Sequence, residues 1–158
     1  MKWVTRERPK IDRIACPWLI ARFIDDAPEF LFVPAAEVLA VARDQEAIPY
    51  DVPDVEFTHV GDDCSFDAFL RRYALDDPAL AALATIVRGA DTARPELAPQ
   101  CAGLLAISLG LSHVFRDDHA MLRHGLVVYD ALYAWCRHAR GETHGWDPEA
   151  LRNPGRLA

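Results

Sequence analysis

The chain has 158 residues and a formal net charge of -7, and 51% of its residues are hydrophobic and 26% charged. This length suits one domain with its own core, and the composition excludes extended disorder. Because nucleic-acid affinity depends on Lys and Arg side chains that neutralise phosphates, the acidic charge predicts no direct contact with nucleic acid.

The sequence predicts a cytoplasmic protein with reduced thiols. The N-terminal residues contain no long apolar stretch of the kind found in secretion signals, and no later run approaches the ~20 apolar residues of a membrane helix. The four cysteines are far apart and form no C-x-x-C pair, so they indicate neither a disulfide framework nor a zinc ribbon. We therefore expect no membrane partner.

The N-terminal third predicts a β-α-β unit. Lys2–Glu7 is short and rich in Trp, Val and Thr, as is typical of a strand, and Glu29–Val33 is its predicted partner. Between them, Pro17–Asp25 has apolar residues at helical spacing, and Pro17 suits the first position of a helix. This interpretation places Cys16 at the helix N-cap.

The middle of the chain mixes helix and strand signals before a helical C-terminal part. Ala35–Ala47 predicts a helix, Ile48–Pro53 is interrupted by prolines, and Val55–Val60 has the composition of a strand. After these, the predicted helices are Phe66–Tyr73 with a Ser65 cap, a helix from Asp77-Pro78 to about Gly89 or Asp91, a central buried helix over Glu96–Leu111, and a last helix from an Asp117 or Asp118 cap to Arg140.

Together these elements predict an α+β fold that is predominantly helical. A small N-terminal β-α-β-type layer is expected to pack on a C-terminal helical bundle. Residues 1–141 are expected to form a single domain. Residues 142–158 have little periodicity and are expected to form an irregular C-terminal arm.

The basic N-terminal segment provides candidates for binding a small oxyanion or for thiol chemistry. A cysteine at a helix N-terminus favours a thiolate or a bound anion, because the free N–H groups there carry partial positive charge. The alternative is that Cys16 is a small buried hydrophobic residue. The bulky, glycine-free residues between Cys16 and Arg22 do not suit an oxyanion loop. The candidates for binding a small oxyanion or for thiol chemistry are Arg6, Arg13, Cys16, Arg22 and Cys64.

A second group of candidates suits a divalent transition metal. Asp91 is in phase with the apolar stripe of its predicted helix, so it should meet a metal ion, an arginine or several N–H donors, or else lie at the exposed helix end. His59 precedes an acidic loop, and Asp118 has an alternative role as a helix cap. The predicted ligands are His59, Asp91, Asp118 and His119, with Cys64 as a further sulfur donor.

Several blocks of the sequence resemble the chromate-resistance family that shares the C-terminal domain of the ChrB proteins. The blocks cover about residues 2 to 137. They are WVTRERPKIDRIACPWLIARFID at 3–25, FLFVP at 30–34, IPYD at 48–51, His59 with CSFD at 64–67, IVRGADT at 86–92, GLLAISLG at 103–110, DDHA at 117–120 and YDALY at 129–133.

This resemblance implies a role in bacterial tolerance of chromate. Related proteins carry this domain behind a DNA-binding or sulfurtransferase-like module, and neither module is found in this sequence. DNA binding by this chain alone is therefore not expected, and a regulatory or sulfurtransferase-like protein is a potential partner.

Three functions remain open at this stage. The first is a cytoplasmic sensor or accessory domain that binds a metal ion or a small anion such as chromate. The second is a metal-dependent enzyme, with redox or hydrolytic chemistry, that uses His59 and Asp91 with Asp118 or His119. The third is an interaction module whose aromatic C-terminal helix docks a partner or forms a homo-oligomer.

Overall fold

Six helices and three short strands make up the part of the chain that the computed structural model describes, residues 1–142. The predicted C-terminal arm lies outside these residues except for Glu142. The elements are β1 (Lys2–Arg6), α1 (Asp12–Leu19), β2 (Glu29–Val33), α2 (Val38–Asp44), β3 (Ile48–Pro49), α3 (Ser65–Arg72), α4 (Pro78–Asp91), α5 (Cys101–Val114) and α6 (Asp118–Ala134). Short segments of tighter or wider helix adjoin them at Ile20–Ile24, Ala35–Glu37, Pro95–Leu97 and Trp135–Ala139.

The strands form a parallel sheet in the order β2-β1-β3. β1 pairs with β2 along its whole length, and β3 adds two residues on the other side. Parallel neighbours need a crossover connection, and α1 supplies it between β1 and β2. The predicted β-α-β unit and the predominantly helical α+β fold are confirmed.

The segment after β3 is irregular, so the prediction of a strand over Val55–Val60 is wrong. The segment makes only isolated bridges, from Phe57 to Tyr50 and from Val60 to Asp63. Phe57 is nevertheless buried and stacks on Phe69 with 4.1 Å between ring centroids. The strand-like composition therefore reflects burial rather than pairing in a sheet.

α1 begins at Asp12, five residues before the predicted start. Pro17 lies inside this helix, where it has no N–H to donate to the carbonyl of Arg13. Cys16 is fully buried in the middle of the helix. The prediction that Cys16 caps the helix and Pro17 opens it is wrong.

Contacts from distant helices fix where α1 begins. Ile11, just before the helix, has a φ of 43°, which is unusual for a branched side chain. Its N–H donates to Ser108 Oγ at 2.8 Å, and its carbonyl accepts from the Tyr129 hydroxyl at 2.8 Å. α5 and α6 thus hold the turn that places Asp12.

The main core lies where α1 meets the C-terminal helices. Trp18 on α1 packs against Phe66, Tyr129 and Tyr133, with ring centroids 5.4 to 6.5 Å apart. Close approach of α1 to α6 requires a glycine, because a Cβ at Gly125 would lie 2.6 Å from Ile14 Cγ2. A smaller cluster on the sheet contains Val4, Val38, Ala42, Ala47 and Val52.

The helix predicted to be central and buried is a surface helix. α5 begins at Cys101, and only Cys101, Leu104 and Ser108 of its residues are buried. Ile107 and Leu109 are 50% and 40% exposed. Its apolar outer side faces away from the rest of the described chain.

The predicted caps at the starts of α4 and α6 are confirmed. Asp77 accepts a hydrogen bond from the Ala79 N–H, and Asp117 accepts one from the Ala120 N–H. Within residues 1–142, none of the helices combines the length and the apolar character needed to cross a membrane.

Candidate metal centre

Two carboxylates and one imidazole from three parts of the chain converge at one place. Asp12 opens α1, Asp91 ends α4, and His59 lies in the loop between β3 and α3. His59 Nε2 lies 3.3 Å from Asp12 Oδ2 and 3.2 Å from Asp91 Oδ2. One ligand atom from each residue lies within 4.8 Å of the other two. Asp12 is buried and Asp91 half-buried, whereas His59 is 40% exposed, so the cluster is open to solvent on the imidazole side.

A third carboxylate, Asp51, borders this cluster and is held in place by other groups. Its Oδ1 lies 3.3 Å from His59 Nε2 and accepts a hydrogen bond from Ser65 Oγ at 2.9 Å. Its Oδ2 pairs with Arg6 Nη2 at 2.5 Å and with Arg13 Nε at 3.2 Å. The two guanidinium groups offset the charge of Asp51.

In the part of the chain that the structure describes, no arginine pairs with Asp12 or Asp91. Within residues 1–142, the ion pairs of both carboxylates are with His59. Buried carboxylates are costly unless a counter-charge accompanies them. The cluster therefore has a local excess of negative charge.

This crowding raises the pKa of several groups. Burial, followed by the nearby Asp12 carboxylate, raises the pKa of Asp91 to about 7. The hydrogen bond to Asp12 raises the pKa of His59 to about 9, against the opposing effect of desolvation. Burial and the Asp12 carboxylate also raise the pKa of Asp51. Without a cation, protons take the place of a counter-charge in this cluster.

The spacing and chemistry of the donors fit a divalent transition metal. Ligand distances of about 2.1 Å place adjacent ligand atoms about 3.0–3.4 Å apart. The 3.2 and 3.3 Å separations from His59 Nε2 to the two carboxylate oxygens match this range. An imidazole with carboxylates suits Zn²⁺, Mn²⁺ or Fe²⁺ better than soft ions. Three protein ligands would leave coordination positions open on the exposed side.

The structure brings together two of the four metal ligands predicted from sequence, His59 and Asp91, and places the other two elsewhere. Asp118 accepts a hydrogen bond from the Arg8 backbone N–H at 2.8 Å. The ring of His119 packs edge-on against Phe32, with 5.3 Å between centroids. Asp118 and His119 therefore belong to the packing at the start of α6.

Sequence reasoning missed Asp12 and Asp51. Because α1 was expected to begin at Pro17, Asp12 was assigned to the loop before the helix, where the sequence does not predict which way a side chain points. Both residues follow parallel strands, Asp51 after β3 and Asp12 in the helix after β1. The region beyond the carboxyl ends of such strands is where binding residues gather, and this is the signal that could have found them.

The three arginines predicted to bind an oxyanion pair with carboxylates, and the two candidate cysteines are buried. Arg6 and Arg13 pair with Asp51, as described above. Arg22 donates to both oxygens of Asp130, at 2.9 and 2.8 Å. Burial, followed by nearby carboxylates, raises the pKa of both Cys16 and Cys64, which favours protonated thiols.

Known proteins match almost the whole described chain. The family model described as "ChrB, C-terminal domain" matches residues 3–136, a range that includes the entire cluster. A protein named Protein ChrB from Cupriavidus metallidurans is 35% identical over 133 residues. The match covers 84% of this chain and 40% of that relative, so the chain spans well under half of the relative's length. No solved structure matches.

Proposed function

Because this chain belongs to the ChrB C-terminal domain family, we propose that it serves in bacterial chromate resistance as a domain that binds a divalent transition metal ion. The observation that carries this proposal is the convergence of Asp12, Asp91 and His59 without an arginine among residues 1–142 to offset the two carboxylates. In this proposal the domain acts as an accessory or sensor domain.

Charge favours a cation over an oxyanion at this place. Asp12 and Asp91 bring two negative charges, which one divalent ion would neutralise. Chromate or sulfate would instead face both carboxylates at short range, in surroundings where water screens the repulsion poorly. The arginines beside the cluster do not reverse this balance, because Arg6 and Arg13 already pair with Asp51.

The position of the cluster supports a role as a sensor. A bound ion would join the start of α1, the end of α4 and the loop that carries His59. Because the ion binds only when these three parts are assembled, its binding energy adds to the stability of the folded state. Binding of the ion would therefore hold the start of α1, the end of α4 and the His59 loop together more firmly, and this structural change is what a sensor needs.

A metal-dependent enzyme is the second candidate, and the exposure of His59 favours it. An ion with open coordination positions on the solvent side could polarise a substrate or lower the pKa of a bound water molecule. The test is to supply metal-loaded protein with chromate and a reductant, and separately with activated esters. Turnover above that of the free metal, lost in His59→Ala, would support an enzyme.

We also propose that the domain works in the cytoplasm beside a larger partner. All four cysteines are free thiols, which suits a reducing compartment. The Cupriavidus relative is much longer than this chain. The partner we propose is a regulatory or sulfurtransferase-like protein.

Isothermal titration tests the binding proposal directly. Chelator-treated protein is titrated with Mn²⁺, Zn²⁺, chromate and sulfate. We expect one divalent ion per chain, release of protons on binding, and no heat from either anion at the same concentrations. His59→Ala should abolish binding. Asp118→Asn is the matched control, because Asp118 was predicted as a ligand but contacts Arg8. Equal loss of affinity in both variants would contradict the assignment of the site.

A further inference from the structure

The outer sides of α5 and α6 form an apolar surface that the metal site does not use. A groove of about 550 Å³ runs between the two helices. Leu104 and Ile107 of α5 and Val127 and Ala131 of α6 are among its lining residues. Ile107 and Val127 stand at this surface with exposures of 50% and 64%. An exposed apolar patch of this kind marks a contact site.

The chemistry of the groove argues against a small polar ligand. Among the described residues that line it, Gln100 is the one with a polar side chain, and all the others are apolar or glycine. Small-molecule sites normally add several convergent polar groups that fix the orientation of the ligand. A broad apolar partner surface fits this groove better.

The absence of charge on α5 identifies the kind of partner. Its 14 residues, Cys101–Val114, include no Asp, Glu, Lys or Arg. An exposed helix normally carries charged residues on its outer side. A chain with a net charge of -7 repels its own copies over most of its surface, and α5 adds no charge to that repulsion.

The surface of α5 has both recesses and projections. Gly103 and Gly110 lie two helical turns apart on α5, on either side of Ile107. A Cβ at either glycine would meet nothing within 4 Å, so the surface is low at both positions. The same face thus offers projecting side chains and recesses, as a two-fold symmetric interface requires.

The size of the face suits a reversible pair. A helix of 14 residues is about 21 Å long, and two neighbouring helices are together about 20 Å wide. The footprint is therefore roughly 400 Å² on each copy, at the low end for specific interfaces, where weak and reversible pairs are found. We propose that two copies of this chain form a homodimer in which the α5–α6 faces pack together as four helices. This proposal does not depend on metal binding.

Sedimentation velocity of the full chain across the micromolar range tests the homodimer. Val127→Arg and Ile107→Arg each place a charge in the proposed interface at a position that is exposed in the single chain. Leu39→Arg is the matched control, because Leu39 is an apolar residue of α2 that is 56% exposed and lies outside the α5–α6 face.

The wild-type chain and the Leu39→Arg variant should be dimers. The dimer dissociation constant should rise by at least about 30-fold in both interface variants, because each buries an unpaired charge. Thermal unfolding of the variants confirms that they fold, and at exposed sites we expect little change. A wild-type chain that is monomeric throughout the range would overturn the proposal. This is the result expected if another protein or residues 143–158 cover the face instead. Dimers that persist in both interface variants would overturn it equally.

Discussion

Replacing Asp91 with Asn should stabilise the metal-free protein and at the same time remove metal binding. A gain in stability without metal and a loss of metal binding occur together only if Asp91 is a metal ligand held beside other carboxylates. Burial and the Asp12 carboxylate raise the pKa of Asp91 to about 7, so the folded protein resists its ionisation. Asparagine has nearly the same shape and carries no charge.

The size of the effect follows from the pKa. For a carboxyl group with a raised pKa, the folded state binds more protons than the unfolded state between the ordinary and the raised value. Stability therefore falls as the pH rises from about 4 to about 7, and the loss persists above that window. A rise from 3.8 to about 7 corresponds to about 4 kcal/mol as an upper limit. Because solvent reaches the His59 side of the cluster, we expect Asp91→Asn to gain about 2 kcal/mol at pH 8.

Urea unfolding at pH 8, first with a chelator and then with Mn²⁺, measures both effects. Mn²⁺ should stabilise the wild-type chain, and the variant should lose this gain because its affinity falls at least about 100-fold. Asp130→Asn is the control. Asp130 accepts hydrogen bonds from Arg22 and Trp18, so its loss should destabilise the protein slightly and leave the Mn²⁺ effect unchanged.

A less stable Asp91→Asn variant in chelator would refute this reasoning. It would mean that Asp91 serves mainly as an ion-pair partner of protonated His59. Equal stabilisation of the variant and the wild-type chain by Mn²⁺ would refute the ligand assignment.

Three further predictions concern pH, thiol access and packing. Because His59 has a pKa of about 9 in the folded state and 6.5 ordinarily, its stabilising contribution is complete below pH 6.5 and lost as the pH rises through 9. Metal-free protein should therefore have a higher Tm at pH 6 than at pH 9.5, and a flat profile would contradict this. Cys16 should react with a thiol reagent only after unfolding, since it is fully buried; rapid labelling of the native chain would show that α1 opens. Gly125→Ala should cost about 1–3 kcal/mol in urea unfolding, because its Cβ would lie 2.6 Å from Ile14, and an unchanged midpoint would show that α1 can shift freely.

The starts of α4 and α6 were predictable from sequence because the residues that mark them lie at the helix ends themselves. Asp77 followed by Pro78 marks a helix start wherever the surrounding chain lies, and the same holds for the Asp117 cap. Asp91 was recognisable as a candidate ligand because a polar residue on an apolar stripe needs a partner, and His59 because it precedes an acidic loop of the kind that places ligands.

The start of α1 was not predictable because distant residues set it. The hydrogen bonds of Ile11 come from Ser108 and Tyr129, about a hundred residues further along the chain. Without that information Pro17 was the stronger signal, and Asp12 escaped notice.

The position of α5 was not predictable for a different reason. An apolar helix must be covered, but its sequence does not state whether the cover comes from the same chain or from another. The exposure of Ile107 and Leu109 shows that residues 1–142 do not cover this side. The expected core helix therefore became a candidate interface.

Crystals soaked in Mn²⁺ and measured for anomalous scattering test the metal site most directly. We expect one anomalous peak per chain, bounded by Asp12, His59 and Asp91, and no peak at Asp118 and His119. A well-ordered crystal with no peak in that cluster, or with its peak beside Asp118, would contradict the claim that this junction holds a divalent ion.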